Sequence, residues 1–327
     1  MSGHEPVDLD ALSDLTTPWC IRVAATLRIA DHLEAGVTRI DELATAAGCQ
    51  PEPLNRVLAH LASRGVFRRV APGEFGLNGA ARGLLDPARR LGLDLDGFGG
   101  RMAHVWNGLL PAVRTGKVAY EDVFGLPFWA DLDAHPDIAA SFDALMGPAG
   151  HGAPDPEVLP AEGWASLRTV VDVGGGTGAL LAEILRTRPE LQGTLVDLPR
   201  TIARSGALFQ AAGVADRVTT VGQSFFDPLP AGADLYLLKS ILADWPDQEA
   251  VAILSRCAEA ARPAGRILVL SGVSPDPVAE DLPMMVLVGG KHRTLAEFEE
   301  LAREAKLAVS GAGWQPSGRF VVECRPT

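Results

Sequence analysis

The sequence contains little cysteine and no long apolar run. Its four cysteines, Cys20, Cys49, Cys257 and Cys324, form no C-x-x-C pair, so we expect no structural zinc site and no other bound metal. No stretch approaches the ~18 uninterrupted apolar residues of a membrane span. The polar N-terminus MSGHEPVDLD also lacks the basic and apolar regions of a signal peptide. These absences predict a cytoplasmic protein with reduced thiols and no membrane partner.

The charge balance is acidic. Forty-one Asp and Glu residues against 29 Lys and Arg residues give a net charge of −12. Such a protein is repelled by the phosphates of nucleic acids unless it carries a local basic patch, so we expect no nucleic-acid partner. The length of 327 residues, at roughly 150 residues per domain, predicts about two domains.

The N-terminal third indicates a helical unit that pairs with another subunit. Residues 8–34 predict a helix with a break near Pro18, and their apolar stripe is wider than one buried face needs. Residues 37–85 predict two short helices followed by a hairpin of 66–70 with 74–77, the pattern of a winged helix. The second of these helices has no basic stripe, so a dimerising role is favoured over DNA binding.

The next segment is rich in large apolar side chains at helical spacing. Residues 95–147 therefore form either plain core or the wall of a flat apolar substrate pocket, and both interpretations stay open for each residue. A Pro/Gly-rich linker is expected at 148–163. The predicted organisation is a winged-helix dimerisation domain at 1–94, a helical pocket segment with the linker at 95–163, and a cofactor domain at 164–327.

From residue 168 strands alternate with helices. The predicted strands are 170–173, 194–197, 218–221, 235–239, 266–270 and 320–324, and the predicted helices lie at 179–188 and near 199–212, 247–261 and 295–306. This alternation is typical of an α/β domain of the Rossmann-like, doubly wound class, with a parallel-dominated sheet.

A glycine-rich loop follows the first of these strands. It runs from Asp172 through Gly174-Gly175-Gly176 into a helix, and glycines there let the backbone approach a ligand closely. Asp197 ends the next strand, where its carboxylate can accept from both hydroxyls of a ribose.

Two cofactors suit such a loop. A dinucleotide site needs G-x-G-x-x-G/A, which Gly174, Gly176 and Ala179 satisfy. Asp172, two residues before the first glycine, would repel a pyrophosphate but attract the ammonium group of an amino acid. Together with Asp197, this acid favours S-adenosylmethionine.

Several motifs resemble those of the acetylserotonin-type, or plant-type, O-methyltransferases. They are VRTGKVAYEDVF, VVDVGGGTG, LVDLP, SFFDPLP, LLKSILADWPD and VGGKHRT, and with the N-terminal helices the resemblance covers nearly the whole chain. The chain is most similar to bacterial enzymes of secondary metabolism of the naphthoic acid O-methyltransferase type. The resemblance implies a homodimeric, S-adenosylmethionine-dependent O-methyltransferase for a small phenolic acid or aromatic polyketide, of hydroxynaphthoic or orsellinic type, in antibiotic biosynthesis.

The resemblance also implies which residues bind the cofactor. Asp197 would hold the ribose and Leu198 would contact adenine. Ser224 stands in place of the family's adenine-binding acid, and its hydroxyl can still accept from the adenine amino group. The implied cofactor set is Asp172, Gly174, Gly175, Gly176, Asp197, Leu198, Ser224, Phe225, Lys239, Ser240 and Trp245, and the substrate candidates are Met102, His104, Trp106, Phe142, Met146, Met285, Val288 and His292.

The chain departs from the family at the general base. The family's His-Asp-Trp triplet is Ala243-Asp244-Trp245 here, and the two glutamates that orient the histidine are replaced by Ser271 and His292. His292 is a candidate catalytic residue that could accept the proton, and the alternative is a polar residue at a loop-to-helix junction. We predict methyl transfer driven by proximity and desolvation without the family's base.

Other functions and contacts stay open on the sequence alone. The lost triplet allows a second hypothesis, in which the protein binds S-adenosylmethionine but catalyses hydroxylation, decarboxylation or cyclisation. A DNA-binding regulator is a third hypothesis, disfavoured by the net charge. Arg22, Arg101 and Arg293 are candidates to anchor an acidic substrate.

Overall fold

The computed structural model describes residues 7–147, 164, 166–277, 281–316 and 318–327. The predicted linker at 148–163 lies outside the described residues. The chain forms two compact units, of which the first ends at His104 and the second covers Val105–Thr327. Residues 95–104, predicted as the start of the pocket segment, thus belong to the first unit, and the three-part domain division stays a prediction.

The first unit consists of short helices and one β-hairpin. Its elements are α1 (Leu9–Leu12), α2 (Thr16–Thr26), α3 (Ile29–Glu34), α4 (Ile40–Ala46), α5 (Pro51–Ser63), β1 (Arg68–Ala71), β2 (Glu74–Gly76), α6 (Gly79–Arg82), α7 (Pro87–Leu93) and α8 (Phe98–His104). Strands β1 and β2 pair antiparallel with Arg69 opposite Phe75. Buried Leu43, Leu58 and Phe75 join α4, α5 and the hairpin in one core, which is the predicted winged helix.

The predicted break near Pro18 lies a few residues before it, and Pro18 itself does not break the helix. Pro18 lies in the first turn of α2, where main-chain N–H groups have no acceptor within the helix and a proline is accommodated. The helix is instead interrupted at 13–15 and at Leu27–Arg28, where Arg28 has a left-handed φ of 53°.

The predicted excess of apolar surface is present at the N-terminus. Leu9, Leu12 and Leu15 are 74%, 75% and 73% exposed in the single chain. Exposing three neighbouring leucines to water is energetically unfavourable. Such an apolar patch is typical of a surface that a partner covers.

The second unit begins with helices and continues as an α/β sheet. Its helices are α9 (Leu109–Thr115), α10 (Ala119–Phe124), α11 (Phe128–Ala134), α12 (Pro136–Met146), α13 (Ala179–Thr187), α14 (Pro199–Ile202), α15 (Ser205–Ala211), α16 (Asp247–Ala260), α17 (Leu282–Leu287) and α18 (Leu295–Glu304). Its strands are β3 (Thr169–Val173), β4 (Gln192–Asp197), β5 (Val218–Gly222), β6 (Leu235–Lys239), β7 (Arg266–Leu270), β8 (Val273–Ser274), β9 (Arg293–Thr294), β10 (Leu307–Trp314) and β11 (Phe320–Pro326).

The main sheet has the order β10-β11-β7-β6-β3-β4-β5. Strands β3 to β7 are parallel, and β11 and β10 are added antiparallel at one edge. The strand order reverses at β3, so a crevice opens at the carboxyl ends of β3 and its neighbours. Side chains alternate between two cores: Val171 and Val173 pack with α16 and α18, whereas Val170 packs with α13.

The predicted α/β class and parallel-dominated sheet are confirmed, but strand β10 was missed. Its sequence, LAVSGAGW, is rich in small residues and lacks a strong apolar alternation. Pairing with β11 holds it in the sheet, and that contact is not visible in local sequence. Among the described residues, no helix is long and apolar enough to cross a membrane.

Candidate active site

The glycine loop and Asp197 lock each other in place. Gly174, Gly176 and Gly178 have φ of 68°, 62° and 87°, values that disfavour any residue with a Cβ atom. The Gly176 N–H donates to Asp197 Oδ2 at 2.8 Å, and the Leu198 N–H donates to Asp197 Oδ1 at 2.7 Å. Burial raises the pKa of Asp197, and these two N–H groups oppose the rise. Asp197 therefore shapes the loop as well as the crevice.

Asp172 is a buried carboxylate without a hydrogen-bond donor among the described residues. It is 1% exposed, and both of its carboxylate oxygens lack a partner. Desolvation raises its pKa to about 7, and the positive charge of Lys239 partly opposes this while Asp197 adds to it. An ionised carboxylate in such a place is unfavourable unless a cationic ligand pairs with it. Without such a ligand, the carboxyl group is more stable in its protonated form.

One cavity of about 420 Å³ collects the residues predicted for the cofactor. Every member of that set, from Asp172 to Trp245, lines it. Two of the substrate candidates, Phe142 and Met146, line it as well. The remaining lining residues are Trp129, Asp133, Asp143, Gly147, Thr177, Ala179, Leu180, Arg200, Thr201, Gln223, Phe226, Ile241 and Asp244. The predicted cofactor residues thus form one contiguous surface.

One wall of the cavity is aromatic. The rings of Trp129 and Trp245 are nearly parallel, with centroids 6.0 Å apart. Phe225 and Phe226 meet Trp245 edge-on, with centroids 5.8 and 4.9 Å away, and Phe142 meets Trp129 at 5.9 Å. A wall of this kind suits flat ligands and cations, because aromatic faces attract both.

Two family models match the chain. The model of the O-methyltransferase domain covers residues 106–308, and the model of the O-methyltransferase dimerisation domain covers residues 9–86. The chain belongs to this O-methyltransferase family. The predicted activity class is therefore confirmed, and the dimerisation domain confirms the predicted homodimer.

Relatives of this O-methyltransferase match it over nearly its whole length. The 2,7-dihydroxy-5-methyl-1-naphthoate 7-O-methyltransferase of Streptomyces carzinostaticus is 44% identical over 94% of each chain. The aclacinomycin 10-hydroxylase of Streptomyces purpurascens is 40% identical over 94% of this chain and 87% of its own.

A solved structure extends the comparison. An O-methyltransferase from neocarzinostatin biosynthesis, in complex with S-adenosylmethionine and 2-hydroxy-5-methyl naphthoic acid, is 41% identical and has a TM-score of 0.92, covering 99% of this chain and 100% of its own. With the family assignment, this confirms S-adenosylmethionine as the predicted cofactor.

The position of the family base is occupied by a buried alanine in this O-methyltransferase. Ala243 is 5% exposed and lies in a short 3-10 turn, Leu242–Asp244. A Cβ atom added to Gly290 would overlap the Ala243 carbonyl oxygen, so the two backbones are in direct contact. The next residue, Asp244, lines the cavity, and burial raises its pKa to about 7.

His292 is held by a carboxylate. Its main-chain N–H donates to Asp281 Oδ2 at 2.6 Å, and its Nδ1 lies 2.7 Å from Asp281 Oδ1. The carboxylate makes Nδ1 the protonated nitrogen, so Nε2 is the atom left to accept a proton. His292 does not line the cavity, and its role as a base stays a prediction. Ser271, the other replaced position, has a left-handed φ of 70° and accepts from Arg319.

The remaining substrate candidates lie away from the cavity lining. Trp106 is 40% exposed, Met285 lies within α17, and Val288 directly follows that helix. Met102 and His104 belong to α8 in the first unit, where the His104 ring is 5.0 Å from the ring of Trp19. Their part in substrate binding stays a prediction.

Two of the proposed arginine anchors are already bonded within the protein. Arg22 donates to the carbonyl oxygens of Gly92 and Gly99 at 3.1 and 3.2 Å. Arg293 is 1% exposed and bonds to main-chain carbonyls and to Asp247. Neither guanidinium group lines the cavity, so the prediction that they anchor a substrate is not supported.

Sequence reasoning missed several lining residues. Trp129 belonged to a segment rich in aromatic residues, which was the available signal, but nothing in the spacing separated it from buried Phe128 one residue earlier. Asp143 and Arg200 also line the cavity. Ion pairs hold both of them there, Asp143 with Arg204 and Arg200 with Asp133. These pairs join α11 and α12 to the α14 region, and no local pattern predicts them.

Proposed function

We propose that the protein transfers a methyl group from S-adenosylmethionine to a hydroxyl group of a small aromatic acid, of the hydroxynaphthoic or orsellinic type, in the biosynthesis of an antibiotic. The observation that carries this proposal is the single cavity in which Asp172, Asp197 and the aromatic wall meet. The naphthoate substrates of the relatives support the choice of acceptor.

Each group of lining residues has a distinct task in this proposal. Asp172 would accept from the ammonium group, because it is a buried carboxylate that lacks donors among the described residues. Asp197 would accept from the ribose hydroxyls, and Leu198 would contact adenine. The Phe226 N–H donates to Ser224 Oγ at 3.2 Å, which leaves a lone pair on that oxygen for the adenine amino group. Lys239 and Ser240 would lie beside the methionine portion.

The reaction can proceed without a base at position 243. When bound, S-adenosylmethionine supplies a methyl group on a positively charged sulfur. Ionising a phenol three pKa units above neutral pH costs about 4 kcal/mol, whereas aligning two reactants contributes about 7–11 kcal/mol. The aromatic wall of Trp129, Phe142 and Trp245 would orient the acceptor ring and exclude water.

Binding and turnover test the proposal separately. We expect calorimetry to show that the purified protein binds S-adenosylhomocysteine and not NAD. We also expect S-adenosylhomocysteine to form when hydroxynaphthoic acids are added with S-adenosylmethionine. Binding of NAD without binding of S-adenosylhomocysteine would overturn the proposal.

One relative supports a second candidate function. The aclacinomycin 10-hydroxylase is 40% identical, so close relatives include a protein named for chemistry other than methyl transfer. A non-methylating enzyme would form product without consuming S-adenosylmethionine. Quantifying S-adenosylhomocysteine against product in one reaction separates the two candidates.

His292 offers a test of the base-free reaction. We expect His292→Ala to keep kcat within about tenfold of the parent protein, because positioning supplies most of the rate and the ring does not line the cavity. A positioned general base contributes about 10²–10⁴-fold. A loss of that size, together with the loss of one ionisation from the pH profile of kcat, would assign the proton to His292 Nε2 and contradict the base-free reaction.

We also propose that the protein acts in the cytoplasm. Its four cysteines support this, since all four are free thiols and thiols persist in a reducing compartment.

A further inference from the structure

Arg293 is the largest fully buried side chain in the described part of the chain. A buried guanidinium group is unfavourable unless hydrogen bonds and a counter-charge satisfy it. Asp247, the first residue of α16, supplies the counter-charge: its Oδ1 lies 3.0 Å from Arg293 Nε and 2.9 Å from Nη2. The remaining donors are directed at main-chain carbonyls, and their location points to a role for this arginine.

Two of these carbonyls belong to the segment that contributes Asp244 and Trp245 to the cavity, and the third is that of Lys291, 3.4 Å from Arg293 Nη1. Arg293 Nη1 donates to the Leu242 carbonyl at 2.7 Å, and Nη2 donates to the Trp245 carbonyl at 2.8 Å. The segment itself is a single 3-10 turn with two internal hydrogen bonds, from the Asp244 N–H to the Ile241 carbonyl at 3.1 Å and from the Trp245 N–H to the Leu242 carbonyl at 3.4 Å. The guanidinium group therefore fixes the main chain on both sides of Asp244.

The arginine is itself held firmly. Its main-chain N–H donates to the Gly272 carbonyl at 3.0 Å, and β9, which it begins, pairs with β8. Gly290, three residues earlier, packs its backbone against Ala243. The planar guanidinium fork can serve two carbonyls and a carboxylate at once, which a lysine cannot do.

We propose that Arg293 is a positioning residue for the cofactor cavity. It holds Asp244 and Trp245 in the wall of that cavity, although it does not line the cavity itself. Cofactor affinity should then depend on a side chain that does not touch the cofactor. This inference rests on the proposed function, in which the cavity binds S-adenosylmethionine.

Arg217 provides a matched control within the same unit. It also donates to three main-chain carbonyls, those of Leu185, Arg188 and Leu191, and none of these residues lines the cavity. Removing either guanidinium group breaks comparable main-chain bonds, so both changes are expected to lower the melting temperature. Only the loss of Arg293 should affect the cavity.

The first test measures the Kd for S-adenosylhomocysteine by calorimetry. We expect Arg293→Met to raise the Kd at least tenfold, Arg293→Lys to raise it three- to tenfold, and Arg217→Met to leave it within twofold. An Arg293→Met protein whose Kd stays within twofold of the parent value would overturn the proposal. Where Arg293→Met does not fold, Arg293→Lys decides in the same way, and a Kd within twofold again overturns it.

A second test needs no ligand and so separates this proposal from the proposed function. The emission of Trp245 is obtained by subtracting the spectrum of the same protein carrying Trp245→Phe. We expect this emission to shift to longer wavelength in Arg293→Met and to stay unchanged in Arg217→Met, because the wall opens to water only in the first. An unchanged emission in Arg293→Met would overturn the role of Arg293, whereas a parent protein that does not bind S-adenosylhomocysteine would overturn the proposed function.

Discussion

Asp172→Asn should stabilise the ligand-free protein at pH 8 and weaken its binding of S-adenosylhomocysteine. Asp172 is 1% exposed without a hydrogen-bond donor among the described residues, and desolvation raises its pKa to about 7, so at pH 8 the folded protein contains a buried charge. The rise of this pKa from 3.8 to about 7 corresponds to about 4 kcal/mol. Because the amide is still a buried polar group, we expect about half of this, a gain of ~2 kcal/mol in the free energy of unfolding, measured in urea.

The effect should depend on pH in one direction. The ordinary pKa of the carboxyl group is 3.8, so below about pH 4 it is protonated in both the folded and the unfolded chain, and the variant, which still buries a polar amide, should lose its advantage in stability. Between pH 4 and pH 7 the unfolded chain releases the proton and the folded protein keeps it, so the parent protein loses stability relative to the variant. Above about pH 7 the difference should be constant.

Asp131 is a matched control for the sign of this effect. It is also fully buried, but it accepts from the Tyr120 hydroxyl at 2.7 Å and lies 3.0 Å from His135 Nδ1. Asp131→Asn should therefore destabilise the protein, because it disturbs a satisfied carboxylate. An Asp172→Asn protein that is less stable than the parent at pH 8 would contradict the unfavourable burial of this charge.

Ligand binding should move in the opposite direction for Asp172→Asn. In the proposed function this carboxylate accepts from the ammonium group of the ligand. A hydrogen bond to a charged group contributes about 1.5–3 kcal/mol, so we expect the Kd for S-adenosylhomocysteine to rise about 10- to 100-fold. Calorimetry at pH 8 measures it, and an unchanged Kd would remove Asp172 from the ammonium site.

Asp197→Ala should have the larger effect on affinity. In the proposed function Asp197 accepts from two ribose hydroxyls, and it already accepts from the N–H groups of Gly176 and Leu198 at 2.8 and 2.7 Å. Losing two charge-assisted bonds costs about 3–6 kcal/mol, so we expect the Kd for S-adenosylhomocysteine to rise at least about 100-fold in calorimetry. The glycine loop would also lose the acceptor that holds it against β4.

Asp234 separates this ligand effect from a general loss of structure. Its carboxylate accepts from the N–H groups of Arg168 and Thr169 at 2.7 and 3.0 Å, at the opposite end of β3, and it does not line the cavity. Asp234→Ala should lower the free energy of unfolding and leave the Kd within twofold. A comparable rise in Kd for Asp234→Ala and Asp197→Ala would show that the Asp197 effect is merely structural.

The part of the site that consists of sequence motifs could be predicted, because residues that are close together in the sequence determine its chemistry. Glycines 174 and 176 need left-handed backbone conformations just after β3, and Asp197 is the last residue of the neighbouring strand β4. Parallel strands bring their carboxyl ends to one edge, so motifs that are distant in sequence meet there. The family motifs and the absence of a histidine at position 243 can also be read directly from the sequence.

The long-range part could not be predicted. Phe128 and Trp129 are adjacent and alike in sequence, but only Trp129 lines the cavity, because a helix presents successive side chains to different surroundings. The charge of Arg293 suggested a substrate anchor, whereas its contacts with Leu242 and Trp245 across 48 or more residues make it internal. The partner of His292 could not be predicted either, because Asp281 lies 11 residues before it and no sequence motif links the two.

The amino-acid order alone thus determined the fold class, the glycine loop, the two aspartates of the cofactor crevice and the absence of a histidine before Asp244, since local backbone preferences and strand periodicity specify them. The tertiary structure decided which aromatic residues form the cavity wall, which arginines are bonded internally and where the Asp172 charge is buried. Those outcomes depend on desolvation and on contacts between residues far apart in the chain, which no local pattern encodes.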